Sequence, residues 1–275
     1  MTKALVLGGG GVAGVAWELG VLESLFAAGV DLTNADMVVG TSAGSVVAAQ
    51  ICSGEALSAL CDRQSDSGSE LKAPGNFTDL IDAFIGALAG NPDEDERNRR
   101  IGRIALSATT VDESARRDVI LSRLPSTRWP SRNLVITAVD VETGEFVTFD
   151  QMSGVELVDA IGASCAVPGV WPPVTIGNRR FMDGGVRSIA NSDLAEGHDV
   201  IVVLAPLTGT LGRPFAAEID GLRVSGSVVE VVEGDAVSLA AFGADPLDPA
   251  TRIPALTEGR RQGTACVARL AQVWA

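Results

Sequence analysis

The sequence predicts an α/β domain built on a central, mainly parallel sheet with helices on both faces, and three observations carry that prediction. Short apolar runs at 4–7, 37–39 and 198–204 (the last apolar from Val200 onward) have strand length and no polar face, the pattern of strands covered on both sides. Segments with apolar residues at helical spacing alternate with them, as expected when crossover helices join parallel strands. The composition is 46% hydrophobic but only 4% aromatic, with no Tyr, so Val, Ala, Leu and Ile must fill the core, which suits a sheet covered by helices.

The elements follow in chain order. Residues 4–7 read as a buried strand, and Gly8 to Gly14 as a glycine-rich turn. Val15, Leu19, Leu22, Leu25 and Phe26 mark a helix over 15–28, and Gly29 stops it. Residues 37–39 form a second strand that runs into Gly40-Thr41-Ser42-Ala43-Gly44, and 45–51 continue as an apolar helix. Residues 62–75, rich in Ser, Asp and Gly, read as a loop, and 76–90 as a helix. The charged run Asn91 to Arg103 reads as a solvated face. A helix over 110–124 precedes two strands near 134–140 and 145–149, joined by the turn Glu142-Thr143-Gly144. A helix over 154–164 ends near Pro168. Strands at 198–204 and 227–232, a turn at Asp245 to Pro249 and a last helix over 257–273 complete the chain. This organisation is a single domain, 1–275, with a core over about 4–205. Segment 62–125 is a variable insertion or cap, and 206–275 supplies a C-terminal strand and helices.

The formal net charge of −14 repels polyanions, so nucleic acid is excluded as a partner and lasting attachment to an anionic membrane is disfavoured. Cys52, Cys61, Cys165 and Cys266 are scattered, with no C-x-x-C pair, and read as free thiols rather than a disulfide framework or metal site. The apolar run after Lys3 is too short for a signal peptide, and no stretch approaches the roughly 18 apolar residues of a spanning helix. The expected location is the cytoplasm.

Three constellations carry chemistry. Gly40-Thr41-Ser42-Ala43-Gly44 lies between an apolar strand and an apolar helix, the context in which a serine is held on a tight strand-to-helix turn with its hydroxyl exposed. Gly40 and Gly44 leave room for that turn and for a substrate. Gly8-Gly9-Gly10-Gly11-Val12-Ala13-Gly14 lies between a strand and a helix. The first amides of a helix have no internal acceptors, and two such donors make an oxyanion hole for acyl transfer. Phe181-Met182-Asp183-Gly184-Gly185 adds a carboxylate on a turn.

Two alternatives compete with a serine acyl hydrolase. Gly9-x-Gly11-x-x-Gly14 also satisfies the dinucleotide-binding fingerprint, but that function needs an acidic residue at the end of the second strand, where this chain delivers Ser42. A Ser-Asp-His esterase would use His198, the one histidine, and the order Ser42, Asp183, His198 matches that of α/β-hydrolases. However, His198 heads a strand, and sites in parallel sheets lie at the strands' carboxyl ends. Without it, Asp183 must take the Ser42 proton itself, which requires a carboxyl desolvated enough to raise its pKa toward the working pH.

In this order, the glycine loop, Gly40-Thr41-Ser42-Ala43-Gly44 and Asp183-Gly184-Gly185 resemble the patatin-like phospholipases. Ala163-Ser164-Cys165-Ala166-Val167-Pro168 with Trp171-Pro172-Pro173-Val174, and Thr137-Ala138-Val139-Asp140 with Thr143-Gly144, resemble further family segments, so the likeness covers about 4–205. The resemblance implies a three-layer α/β/α sandwich and a Ser-Asp dyad, with Ser42 as nucleophile and Asp183 as base. It implies an oxyanion hole from the Gly9, Gly10 and Gly11 amides, supported by Gly14, Gly40, Gly44, Gly184 and Gly185. It also implies a fatty acyl ester as substrate, transient contact with a membrane or micelle, and no metal or organic cofactor. Ala13 stands where the family often carries a cation.

Overall fold

A computed structural model of the chain describes residues 1–65, 71, 84–90, 93–208 and 212–274. The elements are β1 (Lys3–Leu7), α1 (Gly11–Ala27), β2 (Met37–Gly40), α2 (Ala43–Cys52), α3 (Leu57–Asp62), α4 (Glu94–Ser107), α5 (Glu113–Arg123), β3 (Asn133–Asp140) and β4 (Phe146–Phe149). They continue with α6 (Leu157–Ser164), β5 (Val174–Ile176), β6 (Arg179–Asp183), β7 (Val200–Ala205), α7 (Phe215–Val224), β8 (Val228–Glu233), α8 (Ala236–Phe242) and α9 (Arg252–Trp274).

Among the described residues the strands form one eight-stranded sheet in the order β5-β6-β3-β2-β1-β7-β8, with β4 also paired to β3. The pairs β1–β2, β1–β7, β2–β3 and β7–β8 are parallel, as expected, while β3–β4, β3–β6 and β5–β6 are antiparallel. Alternate residues of β1 serve two cores. Leu5 and Leu7 pack with α1 and α2, and Ala4 and Val6 pack with Phe215, Ile219 and Leu222 of α7. Burial on both faces explains why these strands read as continuous apolar runs. The long helix α9 lies along α1, where the buried Trp17 indole donates to Ser238 Oγ and Gln262 Oε1, both at 3.1 Å.

Several boundaries differ from the sequence expectation. Helix α1 starts at Gly11, not at 15, because tertiary contacts hold the glycine loop in the first helical turn. The charged run is not simply a solvated face. From Glu94 onward it becomes α4, which buries Asn98, Ile101, Gly102 and Ala105. Asn98 Nδ2 donates to the Gly144 carbonyl at 3.0 Å, which ties α4 to the β3–β4 turn. Of the helix expected over 76–90, residues 76–83 lie outside the described residues, and 84–87 are helical.

The register of β3 decides what happens at the end of β2. Ile136 pairs with Gly40 on one side and Phe149 on the other. Ala138 pairs with Val147 on one side and Asp183 on the other. Strands β2 and β6 therefore share one edge of β3 and run toward each other end to end, with Thr137 between their tips.

Candidate active site

That head-on meeting brings the chain after Gly40 against Asp183. Ser42 sits between β2 and α2 with φ 52° and ψ −118°, a conformation an L-residue adopts only under constraint. The constraint is visible. The Ser42 amide donates to Ser164 Oγ at 2.9 Å, and its carbonyl accepts from Ser45 Oγ at 2.6 Å and Cys165 Sγ at 3.2 Å. The tight turn also demands Gly44, where a Cβ would lie 2.1 Å from the Leu7 carbonyl oxygen. Gly40 is packed against Ser45 in the same turn.

Asp183 ends β6, its amide donating to the Ala166 carbonyl at 3.0 Å. Its Oδ1 accepts from the Gly185 amide at 2.8 Å. The Ser42 hydroxyl is close enough to favour the ionised carboxyl, yet Oδ2 has no partner of good hydrogen-bond geometry among the described residues. The contact is thus long or bent. Burial pushes the carboxyl up to about 7, against smaller opposing pulls from the Ser42 hydroxyl and the Gly185 amide. Burial, then the charge of Asp183, also raises the pKa of the neighbouring Cys165 thiol, which leaves it inert.

The glycine loop faces this pair, with Gly9 packed on the Ser42 Cβ. One of the three expected donors is already committed. The Gly9 amide donates to the Ile189 carbonyl at 2.8 Å, as the Gly8 amide does to Leu204 at 2.9 Å. The amides of Gly10 and Gly11 have no acceptor among the described residues, so the loop offers these two. Gly14, whose amide bonds the Gly10 carbonyl at 2.8 Å, closes the loop against Ala43. A narrow cavity of about 20 Å³ in front of Ser42 is lined by Gly11, Val12, Arg116, Arg123, Trp171 and Leu247, among others. Arg116 stacks on the Trp171 ring at 3.9 Å.

Neither alternative fits this geometry. Asp36, the acidic residue nearest β2, lies at the start of that strand and accepts from the Lys3 amide at 2.7 Å. The N-terminus of α1 is also closed to a pyrophosphate, because the Ala13 amide donates to the Pro246 carbonyl at 3.0 Å. His198 lies before β7, whose first residue Val200 pairs with Lys3 at the start of β1, at the sheet end opposite Ser42. Its Nδ1 is 2.9 Å from the Ala195 carbonyl. Among the described residues, no three His, Cys, Asp or Glu side chains are placed to hold a metal ion.

Sequence reasoning missed the polar core around these residues. Thr41 and Thr137 share a hydrogen bond at 2.9 Å between their hydroxyls, and the buried Asn191 joins both. It also missed the 245–248 turn as a wall of the site. Ser164 and Cys165 stood inside a quoted motif, but nothing local shows that they clamp Ser42.

Solved structures that match the chain include VipD from Legionella pneumophila, at 13% identity and TM-score 0.48, matched over 98% of this chain and 67% of VipD. The type III effector protein ExoU matches at 18% identity and TM-score 0.42, over 98% of this chain and 53% of ExoU. Full-length ExoU from Pseudomonas aeruginosa, solved in complex with SpcU, matches at 18% identity and TM-score 0.43, over the same shares of each chain. The chain thus spans about half the length of ExoU. The family model described as patatin-like phospholipase matches residues 5–194, and the chain belongs to that family of lipid acyl hydrolases.

Proposed function

We propose that the chain cleaves carboxylic esters of lipids through a Ser42 acyl-enzyme with Asp183 as the only base. The observation that carries this reading is the end-to-end approach of β2 and β6, which sets a strained serine against a buried carboxyl whose pKa stands at about 7. Asp183 accepts the hydroxyl proton as Ser42 Oγ attacks the ester carbonyl. The Gly10 and Gly11 amides receive the oxyanion. Collapse breaks the carbon–oxygen bond to the alcohol, which leaves with the proton from Asp183. Water then attacks the acyl-enzyme and gives its proton to Asp183, which returns it to Ser42 Oγ as the free acid departs. A carboxyl near pH 7 is half ionised at neutrality, so it accepts and returns protons at comparable cost.

The substrate class is a fatty acyl ester, phospholipid or neutral lipid. No helix among the described residues is long and apolar enough to cross a membrane. With a net charge of −14, contact with a lipid surface is transient in this proposal. The setting is a cytoplasmic hydrolase of one domain.

Reaction with a fluorophosphonate tests the mechanism. Intact mass should show one adduct on wild type with loss of fluoride, none on Ser42→Ala, and much slower labelling of Asp183→Asn. Equal labelling of Ser42→Ala would reject Ser42 as the nucleophile.

A further inference from the structure

Among the described residues, Ser42 and Asn191 are the only non-glycine residues with φ in the left-handed region, at 52° and 50°. The two are connected. Asn191 Nδ2 donates to Thr41 Oγ1 at 3.1 Å, on the residue just before Ser42. The same nitrogen lies 3.2 Å from the carbonyl of Gly184, the residue just after Asp183. It lies 3.4 Å from Thr137 Oγ1, between the tips of β2 and β6, and 2.9 Å from the Ser188 carbonyl. Two N–H groups face four acceptors, so the bonds are shared across the cluster. The orientation of the amide is also determined, because Arg187 Nη1 donates to Asn191 Oδ1 at 2.8 Å. Arg187 is in turn held by Asp193, with Nη1 2.9 Å from Oδ1, and its guanidinium lies 4.1 Å from the Phe146 ring.

We propose that Asn191 is a positioning residue that sets the spacing of Ser42 against Asp183 by holding both flanks of the dyad from one side-chain amide. This rests on the dyad reading above. Strands β2 and β6 do not pair with each other, so no backbone ladder spans their gap. Their backbone bonds lead elsewhere: the Thr41 amide donates to Leu7 and the Asp183 amide to Ala166. Two bridges cross the gap: segment 164–166, which holds Ser42 through Ser164 Oγ and Cys165 Sγ and the Asp183 amide through the Ala166 carbonyl, and the fully buried Thr41–Thr137–Asn191 hydroxyl and amide cluster. Asn tolerates the left-handed region better than most side chains, yet still at a cost. Gly184 leaves no slack on the other side, since a Cβ there would lie 2.2 Å from Thr137 Oγ1.

The test is steady-state kinetics and fluorophosphonate labelling of Asn191→Gly, measured well below its Tm. Glycine relieves the left-handed strain and removes the amide. We expect kcat to fall about 100-fold with KM within about twofold, and labelling of Ser42 to slow in proportion, the size of effect that a 1 Å misplacement produces. Ser238→Ala, which removes a buried hydroxyl bonded to Trp17 and Gln262 instead, should lower Tm and leave kcat unchanged. If Asn191→Gly does not fold, Thr41→Val decides the matter. It keeps the volume and deletes the acceptor, and should lower kcat about tenfold at constant KM. Wild-type kcat in the folded variant, or equal loss in Ser238→Ala, overturns the inference while the dyad stands. Turnover by Ser42→Ala overturns both.

Discussion

Two buried carboxyls, one on the helix that follows the glycine loop and one at the tip of β6, illustrate different chemistry. Glu18, on α1 behind the loop, has no exposed surface, and Asp183 at the tip of β6 is 5% exposed. In both, burial is the dominant force and favours the protonated form. Asp183 meets a hydroxyl and an amide and stands at about 7. Glu18 lies near the Gly8 amide, but that amide points to the Leu204 carbonyl, and neither Glu18 oxygen has a well-aligned partner among the described residues. Its pKa stays well above the usual carboxylate range. Desolvation alone therefore makes a weak acid. A base arises only where a hydroxyl to be deprotonated and a modest counter-pull are placed beside it.

Kinetics should separate the two regions most sharply. Asp183→Asn and Ser42→Ala should each lower kcat/KM at least about 1,000-fold, whereas Glu18→Gln should stay within about threefold in a lipid-ester assay. Loss of activity in a folded Glu18→Gln would erase the distinction. The pH profile is the next test. A base must be ionised, so kcat/KM should fall about tenfold per pH unit below about 7, and the same limb should persist in Glu18→Gln.

Stability should show what the two share. A carboxyl whose folded pKa is raised binds more protons folded than unfolded. Its contribution is therefore most favourable below the unfolded value and is lost as pH rises through the folded value. For Asp183 that window runs from 3.8 to about 7, and the loss is at most about 4 kcal/mol. Asp183→Asn and Glu18→Gln should each raise Tm relative to wild type at pH 8, with the gain shrinking toward pH 4. Thermal melts across that range would show a pH-independent gain if the carboxyls were not desolvated. The smallest effect belongs to the far end of the sheet, where His198→Ala should change kcat less than about twofold. A larger loss in a folded protein would bring the histidine back into the mechanism.

Where the sequence was legible, the signal was local. The strand–turn–helix around Ser42 could be read because Gly40 and Gly44 bracket a serine between two apolar segments. Strand β5 could not, since Val174–Ile176 is only three residues between prolines and Gly177. Strand β6 begins with Arg179 and Arg180, and what makes it a strand is remote. Arg179 Nε donates to Asp140 Oδ2 at 2.7 Å, and the register runs along β3. No helix was expected over 215–224, although Phe215, Ile219 and Leu222 stand at helical spacing, and α1 did not announce its start, because glycine is a poor helix former and only packing holds it there.

By itself, the sequence determined the local units. These are buried strands, the constrained Ser42 turn, a glycine loop rich in amides and a carboxylate turn at Asp183. Each depends on φ preference, side-chain size and apolar spacing within a few residues. Only the tertiary structure decided how they meet. The edge of β3 sets β2 and β6 tip to tip, the Ile189 carbonyl takes the Gly9 amide and leaves Gly10 and Gly11, and His198 falls at the opposite end. Strand register, carbonyl partners and burial come from residues tens to nearly two hundred positions apart, and no local pattern encodes such pairings.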